Sequence, residues 1–323
     1  MFGKKLIASA AFCCAFSMTA LTGVAHAFPD KPVRLVVPFT PGGGTDILAR
    51  QLADELNKQD NWNVVVENRP GGNGAIALGA VARSKPDGHE IILALRENIV
   101  IMPLLQPNAS FNALDDFTSI AHVADSPMIL VSGANSKFQN IGQLLEAGKN
   151  EPDTVNFGTS GKGSMSHLLL AMLKNTAKTQ MNHVPYKGSN PALTDLVGGH
   201  VDVVGGSIGS AKSFLDGKRV IPLAVSSSER VQAYPDVPTI AEQGYANFNV
   251  VTWYGIFGPK DMPRNVVDTI NAAVNKALEN PAFRKTLEQQ GMVPKEGTAA
   301  GFDTLFRDDY QALEKQMKDL DMQ

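Results

Sequence analysis

A chain of 323 residues, 43% hydrophobic and 19% charged, is long enough and apolar enough to fold as two globular domains. Its formal net charge of −3 excludes the basic footprint of a nucleic-acid-binding protein. Its only two cysteines, Cys13 and Cys14, exclude a disulfide-stapled scaffold.

The first 27 residues read as a cleavable signal peptide. Lys4 and Lys5 form a positive start, residues 6–21 are apolar, and Ala25-His26-Ala27 supplies the small-residue cleavage pattern. An uncleaved membrane anchor is the competing reading, because the apolar stretch is almost long enough to span. A lipoprotein is disfavoured because the bulky Phe12 precedes Cys13. Cleavage after Ala27 would remove both cysteines, two lysines and no acid, leaving a thiol-free periplasmic protein. Beyond that point no 18-residue apolar run remains to cross a bilayer.

From Phe28 onward, short apolar runs alternate with helical periodicity, the pattern of an α/β fold with mostly parallel strands. Residues 33–38 (VRLVVP), 63–68 (NVVVEN) and 90–95 (EIILAL) read as strands, with helices over 45–57 and up to Ala82. A second run of strands is expected at 128–132, 155–158, 182–184, 201–205 and 221–225, separated by helices over 141–149, 164–175, 191–198 and 207–216. Residues 250–257 (VVTWYGIF) form a last strand, followed by helices over 264–279, 281–290 and 301–320. Those closing helices have no sheet of their own to cover. The economical arrangement has the chain leave a first lobe, build a second, and return. Residues 28–126 with 250–323 would form lobe one and residues 127–249 lobe two, with the ligand between them at the carboxyl ends of strands.

Two loops carry the functional reading. In Pro41-Gly42-Gly43-Gly44-Thr45-Asp46 a strand passes through three glycines into a helix, exposing backbone N–H groups at the positive end of the helix dipole. Thr45 is placed to cap that helix and Asp46 to complement its dipole. The alternative is a flexible turn with an ordinary cap. Neither a phosphate loop nor a dinucleotide fingerprint is present, and no cofactor is expected. Gly158-Thr159-Ser160-Gly161-Lys162-Gly163-Ser164 repeats the arrangement in the second run. Facing one another, two such loops would hold an anion from both sides. Arg96 follows the third strand at the same sheet edge and could grip a carboxylate bidentately, or simply neighbour Glu97 on a solvated turn.

These residues lie in a chain that resembles the tripartite tricarboxylate transporter receptors, also called Bug receptors. The likeness is carried by residues 28–39 (FPDKPVRLVVPF) and 41–46, by VVVENRPG at 64–71, and by KPDG at 85–88. It continues through 156–167, HVPYKG at 183–188, residues 191–199, and PDVPT at 235–239. The resemblance implies a two-lobed periplasmic binding protein of the type II kind with a discontinuous first lobe. Such a receptor, a monomer, would close on a small carboxylate and deliver it to the large and small membrane subunits of a transporter. It implies that Gly43, Gly44, Thr45, Asp46, Thr159, Ser160, Gly163 and Ser164 bind a ligand carboxylate, partly through ordered water. Presentation of ligand to a periplasmic sensor is an alternative role.

Two departures from the family pattern bear on the ligand. Arg96 stands where many members have a small neutral residue, and Gly205-Gly206-Ser207 where many have Phe-Asp-Ser. Gaining a guanidinium and losing a carboxylate both favour a dianion, so an aliphatic or aromatic (terephthalate-like) dicarboxylate is expected. Gly206 and Ser207 would give it close access to backbone. Trp253 and Tyr254 could stack on an aromatic ring, or pack between the lobes. Residues 205–209 also match G-x-S-x-G, with Ser207 in the nucleophile's place, but no histidine follows His200 to complete a hydrolase triad. The histidines lack metal-ligand spacing.

Overall fold

The computed structural model describes residues 28–317, apart from Pro107. The signal-peptide reading and both cysteines lie outside the described residues. The chain begins with β1 (Val33–Val37), α1 (Gly44–Asp60), β2 (Val64–Asn68), α2 (Ala75–Ala82) and β3 (Glu90–Leu95). β1 pairs in parallel with both β2 and β3. Every residue of β3 is buried, as expected for a strand that is apolar from Ile91 to Leu95, and its first residue, Glu90, pairs with Arg34 and Arg69.

A π-helical turn over Glu97–Ile101 runs straight into the short α3 (Met102–Leu105). The chain then enters β4 (Phe117–Gly133), a strand of 17 residues. Sequence alone placed a strand only at 128–132. Residues 117–127 (FTSIAHVADSP) mix polar, small and apolar residues without alternation, so periodicity does not announce them.

β4 belongs to two sheets. Its first part, up to Pro127, lies antiparallel to β9 (Val251–Pro259), which in turn pairs with β3. From Met128 it pairs instead with β7 (Val203–Ser207) and β8 (Val220–Val225). The exchange of partners follows the residue that has no N–H to give to a ladder. The second sheet is completed by β5 (Asn156–Thr159) and β6 (Asn182–Pro185), parallel to each other, with β5 parallel to β7. Its helices are α4 (Ile141–Asn150), α5 (Met165–Ala177), α6 (Ser189–Val197) and α7 (Ile208–Asp216). The chain returns along β9 to α8 (Arg264–Glu279), α9 (Pro281–Gln289), the short β10 (Val293–Pro294) on β4, and α10 (Ala299–Gln316).

Each half is thus a sheet flanked by helices, parallel in its βα units and antiparallel where β4 and β9 enter. The two-lobed fold with a discontinuous first lobe follows from these two long strands. Ser226, fully buried, joins the two crossings: its Oγ accepts the Met128 N–H at 2.9 Å, and its carbonyl accepts the Val250 N–H at 2.9 Å.

Candidate functional site in the cleft between the lobes

The glycine loop enters α1 with Gly43 as N-cap, and no side chain caps this 17-residue helix. Thr45 therefore sits inside the first turn and is not the cap that the sequence suggested. Gly42, Gly43 and Gly44 are exposed, and a Cβ placed on Gly44 would meet nothing within 4 Å. The positive end of the helix dipole is left open to the cleft side of the loop.

Asp46 is buried and faces inward. Its carboxylate accepts the Gly42 N–H at 2.9 Å, the Arg50 Nε–H at 3.0 Å and the Asn68 amide at 2.9 Å. The hydrogen bond from Arg50 holds its pKa at about 2 against the desolvation of burial, and the Gly42 and Asn68 bonds add to it. Asp46 shapes the loop. A group depressed from 3.8 stabilises the fold fully above about pH 4, and the contribution is lost as pH falls through about 2. In urea titrations across this acid range, Asp46→Asn should lack that part of the wild-type loss; an unchanged acid limb would remove Asp46 from this role.

In the second lobe, the Ser160 N–H donates to Ser166 Oγ at 2.8 Å, and the Gly163 N–H to His167 Nδ1 at 3.1 Å. Ser164 is the N-cap of α5, accepting the His167 N–H. Thr159 is buried, with its hydroxyl 2.7 Å from His183 Nε2, and the His167 and His183 rings stack at 4.0 Å. The histidines thus support the loop from beneath. Thr159 points into this support rather than into the cleft, while Ser160, Gly163 and Ser164 line a cavity of about 610 Å³. Asn73, Glu97 and Gln106 face them from the first lobe. Gly43, Gly44, Thr45 and Asp46 are not among the residues lining that cavity, and neither are Gly206 and Ser207.

Arg96 does not reach the cleft. Its guanidinium forms a bidentate pair with Asp309 of α10, Nε to Oδ2 at 2.7 Å and Nη2 to Oδ1 at 2.6 Å. Trp253 is buried and donates its indole N–H to the same carboxylate at 2.8 Å, its ring edge-on to Phe302 and Phe306. Both residues fasten α10 to the first sheet. Arg96, expected to grip the ligand, is here engaged by Asp309, and Trp253 packs against α10. Ser207 is the N-cap of α7 and shares a 2.7 Å hydroxyl contact with Ser210, which accounts for it without catalysis. Gly205 backs onto Phe157 and Leu169 so closely that a Cβ would lie 3.0 and 3.1 Å from them. The G-x-S-x-G match is a packing feature.

Glu97 was passed over in the sequence as a neighbour of Arg96. The π-helical turn carries it to the cleft wall, where its Oε1 accepts the N–H of Met165, the first residue of α5, at 3.1 Å. Burial pushes its carboxyl pKa up, and the Met165 bond opposes that. Its charge is felt by the buried Tyr254 hydroxyl, whose pKa is raised mainly by burial and which shares a side-chain hydrogen bond with Thr45. Within the turn, Asn98 is fully buried and its Nδ2 has no hydrogen-bond partner among the described residues. A π-helical turn is the kind of irregularity that gathers at functional sites, but no sequence periodicity predicts one. Among the described residues no three His, Cys, Asp or Glu side chains cluster to hold a metal. No described helix is long and apolar enough to cross a membrane.

Two α/β lobes joined by two crossing strands, with a cavity lined by residues of both lobes, define a solute-binding protein. Residues 48–322 match the pattern of the tripartite tricarboxylate transporter family receptor. The chain belongs to that family, whose members are substrate-binding receptors and not enzymes. It is 38% identical to a UPF0065 protein encoded between tcbD and tcbE in a Pseudomonas species, over 90% of this chain and 86% of that one. Many solved structures are similar, among them the following three. The periplasmic binding protein BugD is 32% identical with a TM-score of 0.76, covering 90% of this chain and 98% of that one. An R. palustris protein solved with adipate is 29% identical with a TM-score of 0.80, covering 90% and 97%. MatC from Rhodopseudomonas palustris, with bound malate, is 30% identical with a TM-score of 0.75, covering 89% and 99%.

Proposed function

We propose that this protein is a periplasmic receptor that captures a small dicarboxylate between its lobes and delivers it to the membrane subunits of a tripartite tricarboxylate transporter. The observation that carries the reading is the uncapped, glycine-lined N-terminus of α1, an opening suited to one carboxylate. Support for two carboxylates comes from the relatives solved with adipate and malate, and no longer from Arg96. Residues 28–126 with 250–317 make the first lobe in this reading and residues 127–249 the second. The ligand stabilises closure by touching both. Export follows from the leader read in residues 1–27.

A thermal-shift panel of mono-, di- and tricarboxylates, aromatic acids and amino acids tests the reading. A ligand at a hundredfold above its Kd adds about 2.7 kcal/mol of stability, which such an assay resolves. Dicarboxylates should give the largest shifts. Larger shifts from amino acids would overturn the preference for a dianion, and no shift from any carboxylate would overturn the receptor reading itself.

A further inference from the structure

We propose that His167 positions the second-lobe loop only while its ring is neutral, with His183 taking the first proton, so that ligand capture weakens on acidification. The inference rests on the reading above that this loop meets the ligand. Gly163, in the left-handed region at φ +73°, turns its N–H to His167 Nδ1 at 3.1 Å. A ring nitrogen that accepts a hydrogen bond carries no proton, so the ring is neutral with its proton on Nε2. An imidazolium would set Nδ1–H against N–H and lose the bond. The backbone N–H of His167 goes to Ser164 Oγ at 3.3 Å, so one residue holds both Gly163 and Ser164 at the cavity wall.

His183 is placed differently. Its Nε2 meets the Thr159 hydroxyl, which can donate to a bare nitrogen or accept from a protonated one while still accepting the Gly161 N–H at 3.3 Å. A charge on His183 therefore breaks no bond in the loop. His183 is also half-buried, whereas His167 is 3% exposed and desolvation penalises its charged form more. The two rings lie face to face, centroids 4.0 Å apart and planes 14° apart. Two imidazolium charges at that distance repel, so a proton on His183 discourages one on His167. Of the strands packed on α5, β5 and β7 carry no titratable side chain and β6 brings only His183. The loop adds Lys162, and the first lobe adds Glu97 through the Met165 N–H. The pair thus keeps the loop in place through mild acid, and the loop is unhooked when His167 gains its proton.

Calorimetric titration with adipate between pH 8 and 5 compares the mature chain with His167→Asn and His183→Gln, after circular dichroism has checked that both variants fold. Asn keeps an acceptor for the Gly163 N–H and does not titrate; Gln keeps a partner for Thr159 and removes the neighbouring charge. Each affinity is referenced to the same protein at pH 8, and ratios between proteins at one pH cancel the protonation of adipate itself. By pH 5 the wild type should lose about tenfold more affinity than His167→Asn, and His183→Gln should show its loss at higher pH than the wild type. Equal pH profiles in wild type and His167→Asn would overturn the proposal and assign any acid loss to another group such as Glu97. Nitrogen NMR of the ligand-free protein follows the same switch: the Gly163 amide signal should move in step with protonation of His167, after that of His183. A Gly163 signal indifferent to His167, or His167 protonating first, would sink the idea. If adipate and malate bind none of the three proteins, the dicarboxylate reading falls, and the loop switch stands or falls on the resonances alone.

Discussion

Arg96→Leu should destabilise the protein by about 3 kcal/mol without abolishing ligand binding. The guanidinium is one half of a largely buried bidentate pair, with side-chain exposures of 10% for Arg96 and 19% for Asp309. Breaking a buried pair costs more than the pair contributes, because the remaining charge keeps its desolvation penalty and loses its partner. The Trp253 indole N–H would still serve Asp309. A lowered urea midpoint at unchanged slope is the expected readout, and Arg96→Met combined with Asp309→Leu should recover most of the loss. The ligand-induced thermal shift should persist in the single variant. Normal stability with no ligand shift would instead return Arg96 to the binding site.

The opposite pattern is expected for Gly44→Ala. Gly44 opens α1 and has open space where a Cβ would stand, so the variant should fold normally. Replacing glycine by alanine in a helix should even add a few tenths of a kcal/mol, up to about 1. The added methyl would project where an anion must approach the first N–H groups of the helix. Ligand affinity should fall by about ten- to a hundredfold, the equivalent of about 1.4–2.8 kcal/mol. Calorimetric titration against wild type checks this; undiminished affinity with raised stability would move the anion away from α1.

The contrast between these positions shows which parts of the site were legible in the sequence. Glycines and strand-to-helix turns act through the local backbone, so the glycine loop and the start of a helix near Ser164 could be read directly. Arg96 could not be assigned this way, because its partner, Asp309, lies 213 positions further along the chain. Glu97 was hidden for a related reason. A π-helical turn has no periodic signature, and the Met165 N–H that it meets belongs to the other lobe.

The sequence by itself determined the α/β alternation, the two loop-to-helix turns, the return of the chain to its first lobe and membership of a receptor family. The first three rest on hydrophobic period and local turn chemistry, which short windows of residues carry, and the family membership rests on the resemblance of motifs along the whole chain. Only the tertiary structure decided the sign of charge at the cleft. Two adjacent residues of opposite charge stand after β3, and whether acid or base faces the cavity depends on which one finds a distant partner. Asp309 takes the guanidinium out of the cleft, and the turn leaves the carboxylate at its wall.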